Sequence, residues 1–248
     1  QRGCGRPRRS RQAGRLLIRR FLYLLLCFPC WQSSFVTARG GGAYNKIMKR
    51  LRLTPGKVYV MAIKIYIDQG HNPVNPNAGS EGNGLREQDI VYTIGQELAR
   101  LLRANGNFDV RLSRPTPGTQ LGTSNATSLA ARVNDANSWG ADYFISLHTN
   151  ASGEPTPTGS EALVFSQPSV AASLGTDILG WLNRLTGLRN RGVVTRSGLY
   201  VLRKTRMPAV LVELGFITNP NDARLMSNDP ELFAEAIYNG ILEYLGLL

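Results

Sequence analysis

Between residues 61 and 248 the chain alternates short apolar runs with longer stretches of helical periodicity, and three of the apolar runs end on a side chain able to bind a metal or move a proton. Residues 63–68 lead into Gly70-His71, residues 143–147 into His148, and residues 209–212 into Glu213. Such alternation specifies a sheet covered by helices rather than separate all-α or all-β units. The chain has only two histidines, and both stand at these exits. In parallel α/β sheets the carboxyl edge is where ligands bind, so the three exits define one candidate site. The expected fold is α/β: a single domain with a central mixed, mostly parallel sheet flanked by helices.

The element boundaries follow from local signals. Residues 63–67 read as a first strand, and the Asn, Pro and Gly cluster of 72–84 reads as a long loop opening onto a helix. Ile90, Val91, Ile94, Leu98, Leu101 and Leu102 recur at helical spacing, and Asn105-Gly106 supplies a left-handed stop. Residues 108–112 are a second strand, and Ser124 or Asn125 caps a helix running to Trp139 and Gly140. Strands are expected at 143–148 and 161–165, then a helix with Val170, Leu174, Ile178 and Leu182 on one face and Gly187 as its stop. Residues 200–202 and 209–212 read as further strands. The last helix has Asp229 as cap and Pro230 at its first position.

Charge and cysteine divide the chain near residue 60. Residues 1–60 hold 14 of the 29 Lys and Arg and no acid, which leaves 61–248 with 15 basic and 17 acidic residues. The formal charge of +12 therefore belongs to the leader, and the domain carries no electrostatic footprint for nucleic acid. Cys4, Cys27 and Cys30 all lie in the leader too, which excludes a disulfide framework, a cysteine nucleophile and a thiolate zinc cluster from 61–248. Any metal there must be held by imidazole and carboxylate.

The leader is arginine-rich over 6–20, apolar over 21–31, and offers Val36-Thr37-Ala38 to a signal peptidase, the layout of a secretory signal. Eleven apolar residues are too few to span a bilayer, so no stable membrane anchor is expected. The competing reading is translated upstream sequence, since Met61 stands immediately before the first well-patterned strand. Either way residues 1–60 are read as lying outside the fold and 61–248 as the domain. The first reading places the protein in the extracellular space or cell wall, the second in the cytoplasm until lysis.

Catalytic zinc commonly takes three His or carboxylate ligands and keeps one position open. With His71 and His148 available, one acid is required, and Glu87 is the candidate because it lies on the helix stripe of Ile90, Ile94 and Leu98. Taken alone, Glu87 could instead serve the helix dipole, with Gly84 as cap, and each histidine could be a satisfied polar residue at a strand end. Glu213, held against the apolar run 209–212, is read as the general acid/base, with a water-facing glutamate or a fourth ligand as alternatives. The segment 79–84 has glycines but no Lys-Ser/Thr ending, so it reads as an active-site loop rather than a phosphate cradle. Arg114 and Asn150, at strand exits, are candidates for substrate contact or simply turn residues.

Four blocks in order carry a resemblance: Ile67-Asp68-Gln69-Gly70-His71, Leu85-Arg86-Glu87-Gln88-Asp89, Ile145-Ser146-Leu147-His148-Thr149-Asn150-Ala151, and Val210-Leu211-Val212-Glu213-Leu214-Gly215-Phe216. Over about residues 63–247 the chain resembles the zinc-dependent N-acetylmuramoyl-L-alanine amidases of bacterial cell walls. The resemblance implies one zinc ion on His71, Glu87 and His148, Glu213 as catalytic glutamate, and peptidoglycan as substrate. The bond cut would join N-acetylmuramic acid to L-alanine. Two alternatives remain open: a zinc peptidase cutting within the stem peptide, and a catalytically silent peptidoglycan-binding module. The sequence departs from the family where Asn72-Pro73 follows the first histidine in place of the frequent glycines.

Overall fold

The computed structural model describes residues 51–54 and 57–248. The signal-like segment and the cysteines fall outside them. Within the stretch assigned to the leader, β1 (Leu51–Thr54) and β2 (Lys57–Val60) pair as an antiparallel two-stranded sheet.

The main sheet has six strands in the order β6-β3-β7-β10-β8-β9. These are β3 (Ile63–Gln69), β6 (Phe108–Leu112), β7 (Tyr143–Asn150), β8 (Ser160–Val164), β9 (Asn190–Thr195) and β10 (Ala209–Phe216). Strands β6, β3, β7 and β10 are mutually parallel; β8 runs antiparallel to β10, and β9 parallel to β8. A second small hairpin joins β4 (Glu81–Gly82) to β5 (Leu85–Arg86).

Alternation along each strand sorts side chains onto two buried faces. Ile63, Ile65, Ile67, Ile145, Leu147, Val210 and Val212 pack in one cluster under α1 (Glu87–Asn105), α3 (Val170–Thr186) and α6 (Pro230–Leu245). Tyr66, Phe144, Leu163 and Leu211 pack on the opposite face under α2 (Asn125–Trp139) and α4 (Tyr200–Lys204). Between β10 and α6 lies α5 (Pro220–Asn228). Helices α1, α2, α3 and α6 stop where glycine adopts the left-handed conformation, at Gly106, Gly140, Gly187 and Gly246. Ser124 caps α2 through a reciprocal bond pair with Thr127. Among the described residues no helix is long and apolar enough to cross a membrane.

Several expectations are corrected. Residues 200–202 form the start of α4 rather than a strand: Val201 and Leu202 are consecutive and both buried, which an alternating strand would split between two faces. Strand β9 and helix α5 had no counterpart in the sequence reading. The cap position of α1 is held by Arg86 rather than Gly84, without a side-chain cap bond, and Asp229 occupies the cap position of α6 without bonding through its side chain.

Candidate metal centre

The centre lies on the α2/α4 face, where β3, β7 and β10 end. Gly70 continues the pairing by donating to the Leu147 carbonyl at 3.0 Å. A Cβ at Gly70 would lie 2.5 Å from His148 Cε1 and 2.6 Å from that carbonyl, so only glycine lets the chain pass the second histidine. The next residue, His71, has φ 64, a conformation that costs a non-glycine residue free energy unless its surroundings impose it. They do so through Arg132. Its guanidinium donates to the carbonyls of Gln69 (2.6 Å) and His71 and to Asp68 Oδ1 (2.6 Å). Asn72, fully buried, binds the carbonyls of Pro76 and Leu121 at 2.8 and 2.9 Å and accepts from the Leu121 amide. The residue that departs from the family pattern thus ties the loop to the segment before α2.

Glu87 opens α1 with only 2 % exposure. Its Oε1 lies 2.9 Å from His148 Nδ1 and 3.2 Å from His71 Nε2 and accepts from the Thr149 amide at 3.0 Å, while Oε2 accepts from the Ser80 amide at 2.9 Å. One ligand atom from each of His71, Glu87 and His148 lies within 4.8 Å of the others. Burial opposes ionisation of Glu87, but hydrogen bonds and charge from His148 and His71 outweigh it and hold the carboxyl far below the ordinary range. For His148, burial lowers the pKa and the Glu87 carboxylate more than offsets it, so the ring is pushed up.

His71 Nδ1 is buried and has no hydrogen-bond partner. An orphaned imidazole nitrogen beside a second imidazole and an amide-braced carboxylate is a donor set that suits a divalent cation, zinc above all. The residues present therefore fit a metal.

Glu213 is the register partner of His148 on β10. Its Oε2 is buried without a partner, and burial, reinforced by the charges of Glu87 and Glu161 and opposed by His148, pushes its pKa up to about 7. Glu161 was not anticipated. It is the register partner of Glu213 on β8 and accepts from Asn150 Nδ2 at 2.8 Å. Asn150 thus sits at the site, bonded to this second acid. Arg114 is 1 % exposed and donates to the Gln88 carbonyl at 2.9 Å and more weakly to those of Gly70 and Pro117, which ties α1 to the chain before His71. A cavity of about 110 Å³ beside both imidazoles is walled by Asn77, Leu129, Tyr200 and Leu211. The larger groove between α1 and α5, lined by Arg86, Asp89 and Met226, contains none of these groups.

Fold and site together define an α/β domain with a preformed His-Glu-His cluster and a desolvated carboxylate on the adjoining strand. Residues 65–243 match the model of the N-acetylmuramoyl-L-alanine amidase family, and the chain belongs to that family. N-acetylmuramoyl-L-alanine amidase CwlM of Bacillus licheniformis is 38% identical over 182 residues, covering 72% of this chain. N-acetylmuramoyl-L-alanine amidase LytC of Bacillus subtilis is 37% identical over 191 residues, covering 75%. The chain spans 65% and 36% of the lengths of these two relatives. The catalytic domain of CwlV, an amidase from Bacillus (Paenibacillus) polymyxa var. colistinus, has a TM-score of 0.66 at 27% identity, covering 75% of this chain and 99% of that one. The CwlD amidase of Clostridioides difficile, solved with the GerS lipoprotein, has a TM-score of 0.68 at 26% identity, covering 75% and 100%.

Proposed function

We propose that the domain hydrolyses the amide between N-acetylmuramic acid and L-alanine in peptidoglycan, with one zinc ion held by His71, Glu87 and His148. The observation that carries this reading is the convergence of those three ligands beside the unpartnered carboxylate oxygen of Glu213. A zinc ion in such a site supplies Lewis acidity toward a carbonyl and lowers the pKa of water. Glu213, poised near neutrality by burial, takes a proton from the attacking water and returns it to the departing amine. Asn150, already bonded to Glu161 at the rim, offers the substrate an amide group there. Family membership and the names of the relatives support the bond and the substrate; the donor set supports the metal.

Mass spectrometry of digested peptidoglycan tests this directly. Intact stem peptides with a free N-terminal L-alanine are expected, and cleavage should cease on chelation and return with zinc. Fragments cut within the stem would establish a peptidase instead, and wall binding without products a silent module. We also place the working domain at residues 61–248 and its action outside the cytoplasm. A chain beginning at Met61 is expected to fold and cleave; an insoluble product would make the β1-β2 hairpin or the preceding residues part of the domain.

A further inference from the structure

The register of the sheet continues the catalytic row beyond Glu161. His148 pairs with Glu213, and Glu213 with Glu161. On the next strand Ser160 pairs with Asn190 and Ala162 with Val193, so two residues of β9, Arg191 and Gly192, stand opposite the single Glu161. This is a bulge, with Gly192 at φ 87, and bulges beside active sites re-aim side chains. Here the re-aimed side chain is Arg191. Its guanidinium lies 5.0 Å from the centre of the Phe216 ring and donates to the Thr158 carbonyl at 3.3 Å. Phe216 is in turn the register partner of Asn150, which bonds Glu161. Arg191 is exposed, and among the described residues it forms no ion pair.

Along the chain, the segment that contains β9 carries charge of one sign. Between Asp177 and Glu213 the sequence holds seven Arg and Lys and no acid, in a domain otherwise richer in acids. The row therefore runs from acidic, at Glu213 and Glu161, to cationic at Arg191, the one charged residue of β9. Two strand spacings of about 4.8 Å separate β10 from β9. An extended peptide advances about 3.4 Å per residue, so a chain whose terminal amine departs at Glu213 brings its second residue within reach of an arginine on β9.

We propose that Arg191, presented by the β9 bulge, is the carboxylate-binding residue of this cleft and selects peptides with an acidic second residue after the departing amine. The proposal rests on the amidase reading for its direction along the cleft. It makes Arg191 a specificity determinant that binds ground and transition states alike, so its loss acts on KM and spares kcat.

The test compares N-acetylmuramoyl-L-alanyl-D-glutamate with the same compound carrying both glutamyl carboxyls as carboxamides, using the full chain and its R191Q and R191K variants. Charge-assisted bonds at a partly exposed site predict a preference of about five- to tenfold for the diacid in kcat/KM. R191Q should abolish that preference through KM and leave the diamide unchanged, and R191K should restore part of it. Calorimetric binding of the free dipeptide L-alanyl-D-glutamate and its diamide is the second arm and needs no turnover. Equal losses on both substrates, or none, would overturn the role of Arg191. If neither compound is cleaved, the amidase reading fails, and the binding arm decides alone: identical dipeptide affinity for wild type and R191Q removes Arg191.

Discussion

Replacing Arg132 with Met should cost more stability than any other single change near the centre, and the cost should depend on pH. The side chains of Arg132 and Asp68 are each 1% exposed, with 2.6 Å between Nη1 and Oδ1. Burial alone would raise the pKa of Asp68; the charge and hydrogen bond of Arg132, with a further bond from Ser146 Oγ at 2.8 Å, hold it below the ordinary carboxylate range. Removing one member of a buried pair strands the other, at about 3–5 kcal/mol. For a domain of this size that lowers Tm by roughly 6–20 °C. In wild type the depressed pKa contributes stability that is present above the unfolded value of about 4 and lost as pH falls through the folded one. In Arg132→Met the partnerless Asp68 has a raised pKa, so the opposite sign applies and the variant loses stability as pH rises. The gap should therefore be small near pH 3 and full at pH 7. Guanidinium unfolding of chelated protein across that range measures it without linkage to metal. Asp68→Asn on the Met background should recover much of the loss, since no buried charge remains. A gap under about 1 kcal/mol at pH 7, or one that does not change with pH, would refute the reasoning that this pair fixes the loop.

Glu213→Gln should abolish turnover while leaving metal content near wild type, read by product formation and elemental analysis. The same variant should unfold later than wild type in metal-free protein at pH 8. A carboxyl ionising at about 7 folded against an ordinary 4.5 keeps its contribution below the lower value and loses on the order of 3 kcal/mol as pH rises past the higher one. At pH 4 the two should coincide. Gly70→Ala should weaken zinc binding about 10- to 100-fold in chelator competition, because the added methyl must displace the His148 ring or the Leu147 carbonyl. His71→Ala should lose metal and activity together.

The strands β3, β7 and β10 and the helix stops were legible because each rests on local chemistry: short apolar runs in the strands, and left-handed glycine at Gly106, Gly140 and Gly187. What escaped was set by tertiary contact. Strand β9 begins Asn190-Arg191-Gly192 and is half exposed along its length, so no alternation marks it. Helix α5 carries a legible start, Asn219 capping and Pro220 following, but its nine residues give too few turns for a stripe to show. An arginine at a strand exit reads as a reaching side chain; only the tertiary bonds to the Gly70 and Gln88 carbonyls reveal that Arg114 is enclosed.

The acids and cations of the row divide by strand direction, which explains why one half was visible in advance. Reading for residues at the carboxyl ends of strands finds His71, His148 and Glu213, because β3, β7 and β10 are parallel and their ends coincide at one edge. Strand β8 runs the other way, so it brings its amino end to that edge, and Glu161 is its second residue. Strand β9, parallel to β8, does the same, and Arg191 is its second residue. In a mixed sheet the ligand edge is thus built from the last residues of one set of strands and the first residues of the other. A search confined to carboxyl ends recovers both histidines and Glu213, while Glu87 has to be found from the apolar stripe of α1. Such a search misses Glu161 and Arg191, which β8 and β9 bring to the same edge from their amino ends.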